Sequence, residues 1–197
     1  MATPVNDLLD KLGPVFRWAE ANAVGITQPR LYRLIEAGRI ERIGHGLYLR
    51  ADAPPIDLDL VEVATVSPQA TLCLTSALAH HGLIDDIPSK IHLALPANVH
   101  RPTLAAAVAW HQFATETFEI GRSEIEVSPG FTIGLYGAAR SIIDAYRLRH
   151  FVGVETAREA LRAWLRGTGN QPSALLTMAA KFPKAAPQIR SDLEVLL

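Results

Sequence analysis

Residues Gly25 to Arg50, GITQPRLYRLIEAGRIERIGHGLYLR, specify a turn, a short basic helix and a tight hairpin, in that order. Gly25 permits the sharp turn, because a residue without Cβ takes positive φ at no steric cost. Thr27 is placed to cap the helix that follows, and Pro29 falls in its first turn, where a missing N–H costs nothing. Leu31, Leu34 and Ile35 recur at i, i+3, i+4 and make one apolar face. Gly38 is positioned to end the helix as a left-handed residue. Ile40 and Ile43, then Leu47 and Leu49, flank Gly44-His45-Gly46 as two short strands around a glycine turn. Two supporting helices are expected ahead of this segment, at Asn6–Leu12 and Pro14–Val24, with Phe16 and Trp18 as core or interface anchors. The whole reads as a winged helix-turn-helix over residues 1–50.

The chemistry follows from the face left outside. Thr27, Gln28, Arg30, Tyr32 and Arg33 are the expected contacts of the helix with double-stranded DNA. Gln pairs bidentately with adenine and Arg with guanine in the major groove. Arg42, His45 and Arg50 are the expected wing contacts, to phosphates or the minor groove, which position a domain without specifying sequence. Between residues 28 and 50 five Arg face Glu36 and Glu41, so the segment is locally basic. A winged helix used only for protein docking or dimerisation is the alternative for this segment.

A chain of 197 residues holds one large or two small domains, and 49% apolar content with 20% charged residues excludes a disordered chain. The net charge of −1 conceals a segregation. Residues 1–50 carry seven basic against five acidic side chains, residues 51–134 three against ten, and residues 135–197 nine against five. An acidic middle between basic ends suits a protein that meets nucleic acid with some surfaces and something else with others. The single cysteine, Cys73, lies in the apolar run Ala70–Leu74 and is expected to be a small buried hydrophobe in a reducing compartment. The N-terminal MATPVNDLLDKLG has no apolar core of a leader, and no run of 18 uncharged apolar residues occurs, so the expectation is a cytoplasmic chain without a membrane span.

Ala51-Asp52-Ala53-Pro54-Pro55 is the expected linker, since consecutive prolines hold the chain extended. A second domain is expected over 56–197. It opens with a helix from Leu58 to Thr65, ended by Ser67-Pro68, and a second helix capped by Thr75 or Ser76 that runs to Gly82. Ile91, Leu93 and Leu95 alternate as a strand, and 108–113, 118–120, 124–127 and 131–136 are further strand candidates. From Ala138 the period becomes 3.6, with helices carrying Ile142, Ile143 and Tyr146, then Val154–Leu165, then about 172–182 and 186–197. The expected fold class is α+β: the winged helix, then a mixed α/β domain with a helical C-terminal end.

No catalytic constellation emerges. His80 and His81 are adjacent, so on a helix they diverge by about 100° and do not chelate one ion as an i, i+4 pair would. Ser76 sits in Leu-Thr-Ser-Ala-Leu rather than a Gly-x-Ser-x-Gly elbow. Asp85-Asp86 precedes Ile87-Pro88 in a loop, where a metal-dependent nuclease using them with His80 is the weaker reading. No metal, cofactor or enzymatic activity is expected. One C-terminal feature is sharper: Arg158, Arg162 and Arg166 stripe one helix face, preceded by Arg147 and Arg149, as a site for docking an acidic partner or flanking DNA. Glu155 and Glu159 stand at i+3 spacing to Arg158 and Arg162, which equally fits a solvated, salt-laced face.

Six blocks in order carry a family likeness: Arg-Leu-Tyr-Arg-Leu-Ile-Glu-Ala-Gly (30–38), Gly-His-Gly-Leu-Tyr (44–48), Leu-Cys-Leu-Thr-Ser-Ala-Leu-Ala-His-His-Gly-Leu (72–83), Ile-Pro-Ser-Lys-Ile-His-Leu-Ala-Leu-Pro (87–96), Ala-Ala-Arg-Ser-Ile-Ile-Asp-Ala-Tyr-Arg-Leu-Arg-His (138–150) and Glu-Ala-Leu-Arg-Ala-Trp-Leu-Arg (159–166). The chain resembles the bacterial AbiEi-type antitoxins of type IV toxin–antitoxin and abortive-infection systems. The resemblance implies a repressor of its own operon that binds repeated promoter sequence through the winged helix. It implies a C-terminal domain opposing a nucleotidyltransferase-like toxin encoded nearby. The alternative is a stand-alone winged-helix regulator whose C-terminal domain binds a small ligand.

Overall fold

The computed structural model of the chain describes residues 5–197. These divide into two compact units, one holding the residues up to Thr65 together with Glu126–Thr132, the other Val66–Ile125 and Ile133–Leu197. Residues 51–55 therefore fall inside the first unit. Ala51 N donates to Arg39 O and Ala53 N to Arg50 O, at 3.0 and 3.2 Å.

The first unit runs α1 (Val5–Leu9), β1 (Val15–Arg17), α2 (Trp18–Ala23), α3 (Gln28–Glu36), β2 (Ile40–Gly44), β3 (Leu47–Arg50) and α4 (Leu58–Val66). Its sheet has the order β1-β3-β2, antiparallel throughout. The apolar face expected of α3 is the buried one: Leu31 and Leu34 join Phe16, Ala21, Ile26 and Ile40 in one core, with Ile35 packed against it. Pro29 lies in the first turn. Gly38 at φ +64° closes the helix, its N–H donating to Ile35 O while Arg39 N donates to Leu34 O, both at 2.9 Å. That pair of bonds is a Schellman closure, and it satisfies carbonyls that the helix end would otherwise orphan.

Two expectations fail here. Pro14–Val24 is not one helix, because Val15–Arg17 pairs as a strand with Leu47–Leu49 and only Trp18–Ala23 is helical. Burying Val15 and Phe16 against β3, with the Phe16 and Tyr48 rings stacked 5.7 Å apart, outweighs a local helical pattern. Thr27 is the N-cap residue, but its side chain makes no capping hydrogen bond. Pro29 has already removed one of the amides a cap would serve.

The second unit runs β4 (Thr71–Leu72), α5 (Leu74–His80), β5 (Ile91–Pro96), β6 (Val108–Phe113), α6 (Thr115–Phe118), β7 (Arg122–Ser128), β8 (Phe131–Tyr136), α7 (Ala138–Arg147), α8 (Arg149–Val152), α9 (Val154–Arg166), α10 (Pro172–Ala179) and α11 (Ala186–Leu196), the β7–β8 turn itself being grouped with the first unit. The sheet order is β6-β5-β4-β8-β7, with β4 antiparallel to β5 and parallel to β8. Ile142, Ile143, Leu161, Trp164, Leu175 and Ile189 from α7, α9, α10 and α11 make the helical core. Mixed α+β architecture is thus observed.

Phe118–Ile120 is not a strand. Phe118 ends the single-turn α6, and its carbonyl accepts the Tyr136 hydroxyl at 2.9 Å. Neither Thr75 nor Ser76 caps α5; Cys73 is the N-cap residue, and Ser76 Oγ instead accepts His92 N–H at 2.9 Å. The chain leaves β4 through Leu74 at φ +47°, a costly conformation for a leucine that full burial holds in place. Cys73 is buried as expected, and that burial pushes its thiol well up. Among the described residues, no helix is long and apolar enough to cross a membrane.

Candidate nucleic-acid interface

Gln28 and Tyr32 stand one turn apart on α3 and face the β2–β3 hairpin. Arg42 and His45 approach from the hairpin, and the four side chains share a groove of about 270 Å³ with Trp18 and Tyr48. The local sequence explains this convergence. Pairing shifts register between Arg42 and Gly44, leaving Ile43 as a bulge, and Gly46 turns at φ +65°. Trp18 N donates to Gly46 O at 2.9 Å, which pins the turn to the start of α2. Arg42 Nε donates to Gly44 O at 3.1 Å, so the guanidinium lies along its own hairpin. Tyr32 is 57% exposed, so its ring is accessible at the groove.

The remaining sequence-predicted contacts separate. Arg33 and Thr27 are exposed, whereas Arg30 is half-buried. At about 100° per residue, Arg30 sits about 160° around the helix from Tyr32, on the opposite flank. Arg50 is committed elsewhere. Its Nη1 donates to Leu9 O at 2.8 Å and Leu12 O at 3.3 Å, and its Nη2 pairs with Asp52 Oδ2 at 2.7 Å. Asp10 completes the ring at 3.4 Å, and only 17% of the Arg50 side chain is exposed. The Asp52 hydrogen bond holds the guanidinium more firmly charged and draws the Asp52 carboxyl down in return. Arg50 therefore anchors the end of β3 to the C-terminal end of α1 and is withdrawn as a wing contact. Trp18 is the residue that sequence reasoning assigned only to a core or an interface; its place on the groove depends on the hairpin pairing.

The arginines of the second unit also divide. Arg158 donates from Nε to Asp192 Oδ2 at 3.1 Å and pairs with Glu155 at 3.2 Å, tying α9 to α11. Arg162 and Arg166 are exposed on α9. Arg147 and Arg149 do not continue that stripe. They line a separate cleft of about 960 Å³ with His150, Lys181 and Lys184. Behind Arg147 lies Asp144, fully buried, 2.9 Å from Arg147 Nη2 and 2.9 Å from Arg140 Nε. Burial pushes the Asp144 carboxyl up, against the pull of both guanidinium groups. No sequence signal joined Lys181 and Lys184 to Arg147, because the cleft brings together residues more than 30 positions apart.

With this geometry in view, the comparison with known families is specific about one part of the chain. Residues 4–51 match the AbiEi antitoxin transcriptional regulators. The matched segment ends one residue beyond β3, so it carries α3 and the hairpin whole. The resemblance read from the sequence is borne out for this AbiEi-type segment, that of an antitoxin transcriptional regulator. No curated protein matches the chain.

Proposed function

We propose that the first unit is a winged helix that reads DNA at the chain's own promoter, and that the whole protein is an autorepressing antitoxin. The observation that carries the reading is the groove in which Gln28 and Tyr32 of α3 meet Arg42 and His45 of the hairpin. Its support is the order of elements: helix, strand, two helices and a two-stranded hairpin, with the second of the paired helices amphipathic and its outer face polar. In this reading α3 enters the major groove with Gln28, Tyr32 and Arg33, and Arg42 and His45 hold the backbone. One nine-residue helix reads few base pairs, so recognition uses two copies on repeated sequence. The second unit opposes a nucleotidyltransferase-like toxin encoded nearby, in the manner of a type IV system, without a catalytic step of its own. Arg162 and Arg166 are exposed cations of α9 that an acidic partner surface would meet.

The test is promoter binding by full-length protein, followed by fluorescence anisotropy across a salt titration. Arg33→Glu weakens binding by about 1–3 kcal/mol while the fold is unchanged. Equal affinity of Arg33→Glu and the parent at every salt concentration refutes the helix assignment. Co-expression of the neighbouring gene separates the second role. Rescue of growth by Arg33→Glu as well as by the parent places antitoxicity apart from DNA reading, and rescue by neither refutes the antitoxin reading. A stand-alone regulator with a ligand-binding C-terminal domain is favoured by one observation, the cleft at Arg147.

A further inference from the structure

We propose that the cleft lined by Arg147, Arg149, Lys181 and Lys184 binds a small phosphorylated ligand. Four cations and His150 converge there, and no carboxylate is among its lining residues. The charge is unbalanced behind the wall as well as on it. Arg140 is fully buried and donates to Thr117 O at 2.7 Å and to Ile120 O, and it shares Asp144 with Arg147. One carboxylate thus faces two guanidinium groups, one of them fully buried, which leaves a positive excess. A charge of that kind is stabilised by an anion held nearby.

Arg147 is prepared for the task. Asp144 holds it from behind, the Phe113 ring lies 4.4 Å beneath its guanidinium, and 19% of its side chain stays exposed, at the cleft. Little side-chain freedom remains to be lost when an anion binds. Leu148, Val154 and Phe182 supply an apolar wall beside the cations. A ligand with a multiply charged end and a less polar body fits both surfaces, and the volume of about 960 Å³ suits a small molecule. Only 19% of the Arg147 side chain is exposed, which favours a small ligand over duplex DNA or a folded acidic surface. The inference deepens the ligand-responsive reading of the second unit and does not rest on DNA binding.

Isothermal titration calorimetry of the full-length protein with ATP, at physiological ionic strength, tests it, with inorganic pyrophosphate as competitor. Saturable binding at one site per chain is expected, displaced by pyrophosphate. Both Lys181 and Lys184 are exposed, so the double variant Lys181→Ala/Lys184→Ala keeps the fold, and about 10-fold weaker binding is expected from losing charge-assisted contacts. Arg190→Ala, an exposed cation outside the cleft, leaves binding unchanged. Four outcomes overturn the proposal: no saturable binding of either probe at millimolar concentration; equal losses in the double variant and Arg190→Ala; ATP binding that pyrophosphate does not displace; or displacement of ATP by a poly-glutamate peptide but not by pyrophosphate. Promoter affinity of the double variant, measured alongside, stays at the parent value, so a failure here is distinguishable from a failure of the DNA-reading assignment.

Discussion

Replacing Arg50 with alanine distinguishes an anchor from a DNA contact. The guanidinium bond to Leu9 O at 2.8 Å is charge-assisted and worth about 1.5–3 kcal/mol. The longer contact to Leu12 O at 3.3 Å adds under about 1 kcal/mol. The exposed Asp10 and Asp52 carboxylates are screened by water and add little. Leu9 O keeps its bond from Leu12 N–H at 2.9 Å, so truncation removes a second donor rather than leaving that carbonyl bare. The expected loss for the first unit is therefore about 2–4 kcal/mol, a large part of the stability of a small unit. Native-state hydrogen exchange on the amides of β1 and β3 reads it directly, as exchange about 30- to 1,000-fold faster. Promoter affinity, measured at a temperature where the variant remains folded, stays at the parent value. Exchange at the parent rate together with weakened promoter binding would refute the assignment and return Arg50 to the wing contacts.

Two further outcomes follow from local geometry. Gly38→Ala meets open space at its new Cβ, so its cost is the left-handed φ of +64° alone, about 1 kcal/mol by denaturant unfolding; a loss several times larger would mean that a contact, not backbone strain, governs the site. His111 sets an acid limb. Its Nε2 lies 3.0 Å from His92 Nδ1, and burial, with the His92 and Arg101 charges adding to it, lowers its pKa to about 4. The unfolded chain then binds more protons than the folded one between the ordinary histidine value and about 4, so stability is complete above that window and falls as the pH drops through it. Because the ring is only half-buried, the loss is about 1 kcal/mol after solvent screening. His111→Gln flattens this limb in a pH series of unfolding curves, and an unchanged slope would sink the assignment.

The helix α3 was readable because its signals are local and agree. Leu31, Leu34 and Ile35 set the period, Pro29 the start and Gly38 the stop, and each acts within four residues of its neighbours. Strand β1 was not readable, since three residues carry no period and Val15–Arg17 is fixed by pairing with Leu47–Leu49, about thirty positions away. Most of the groove was equally legible: Gln28 and Tyr32 from helical spacing, Arg42 and His45 from the hairpin. Trp18 joined it only through the bond from its amide to Gly46 O.

The arginines show most clearly where pattern stops and packing begins. Spacing correctly put Arg158, Arg162 and Arg166 on one helix, yet it gave no information about which of them is free. Asp192, from α11, engages Arg158 at 3.1 Å and also accepts the Tyr146 hydroxyl at 2.8 Å, so the cation closest to the core is a tie between helices. Asp144, on the same helix, does likewise for Arg147 at 2.9 Å. In both cases a buried carboxylate decides the role of the arginine. Asp144 is three residues from Arg147, so it was within reach of a local reading. Its weight came from burial, which a one-dimensional pattern does not carry. A cation stripe in a chain of this kind is therefore a statement about direction, and the free charge it offers is what remains after the buried carboxylates have been matched.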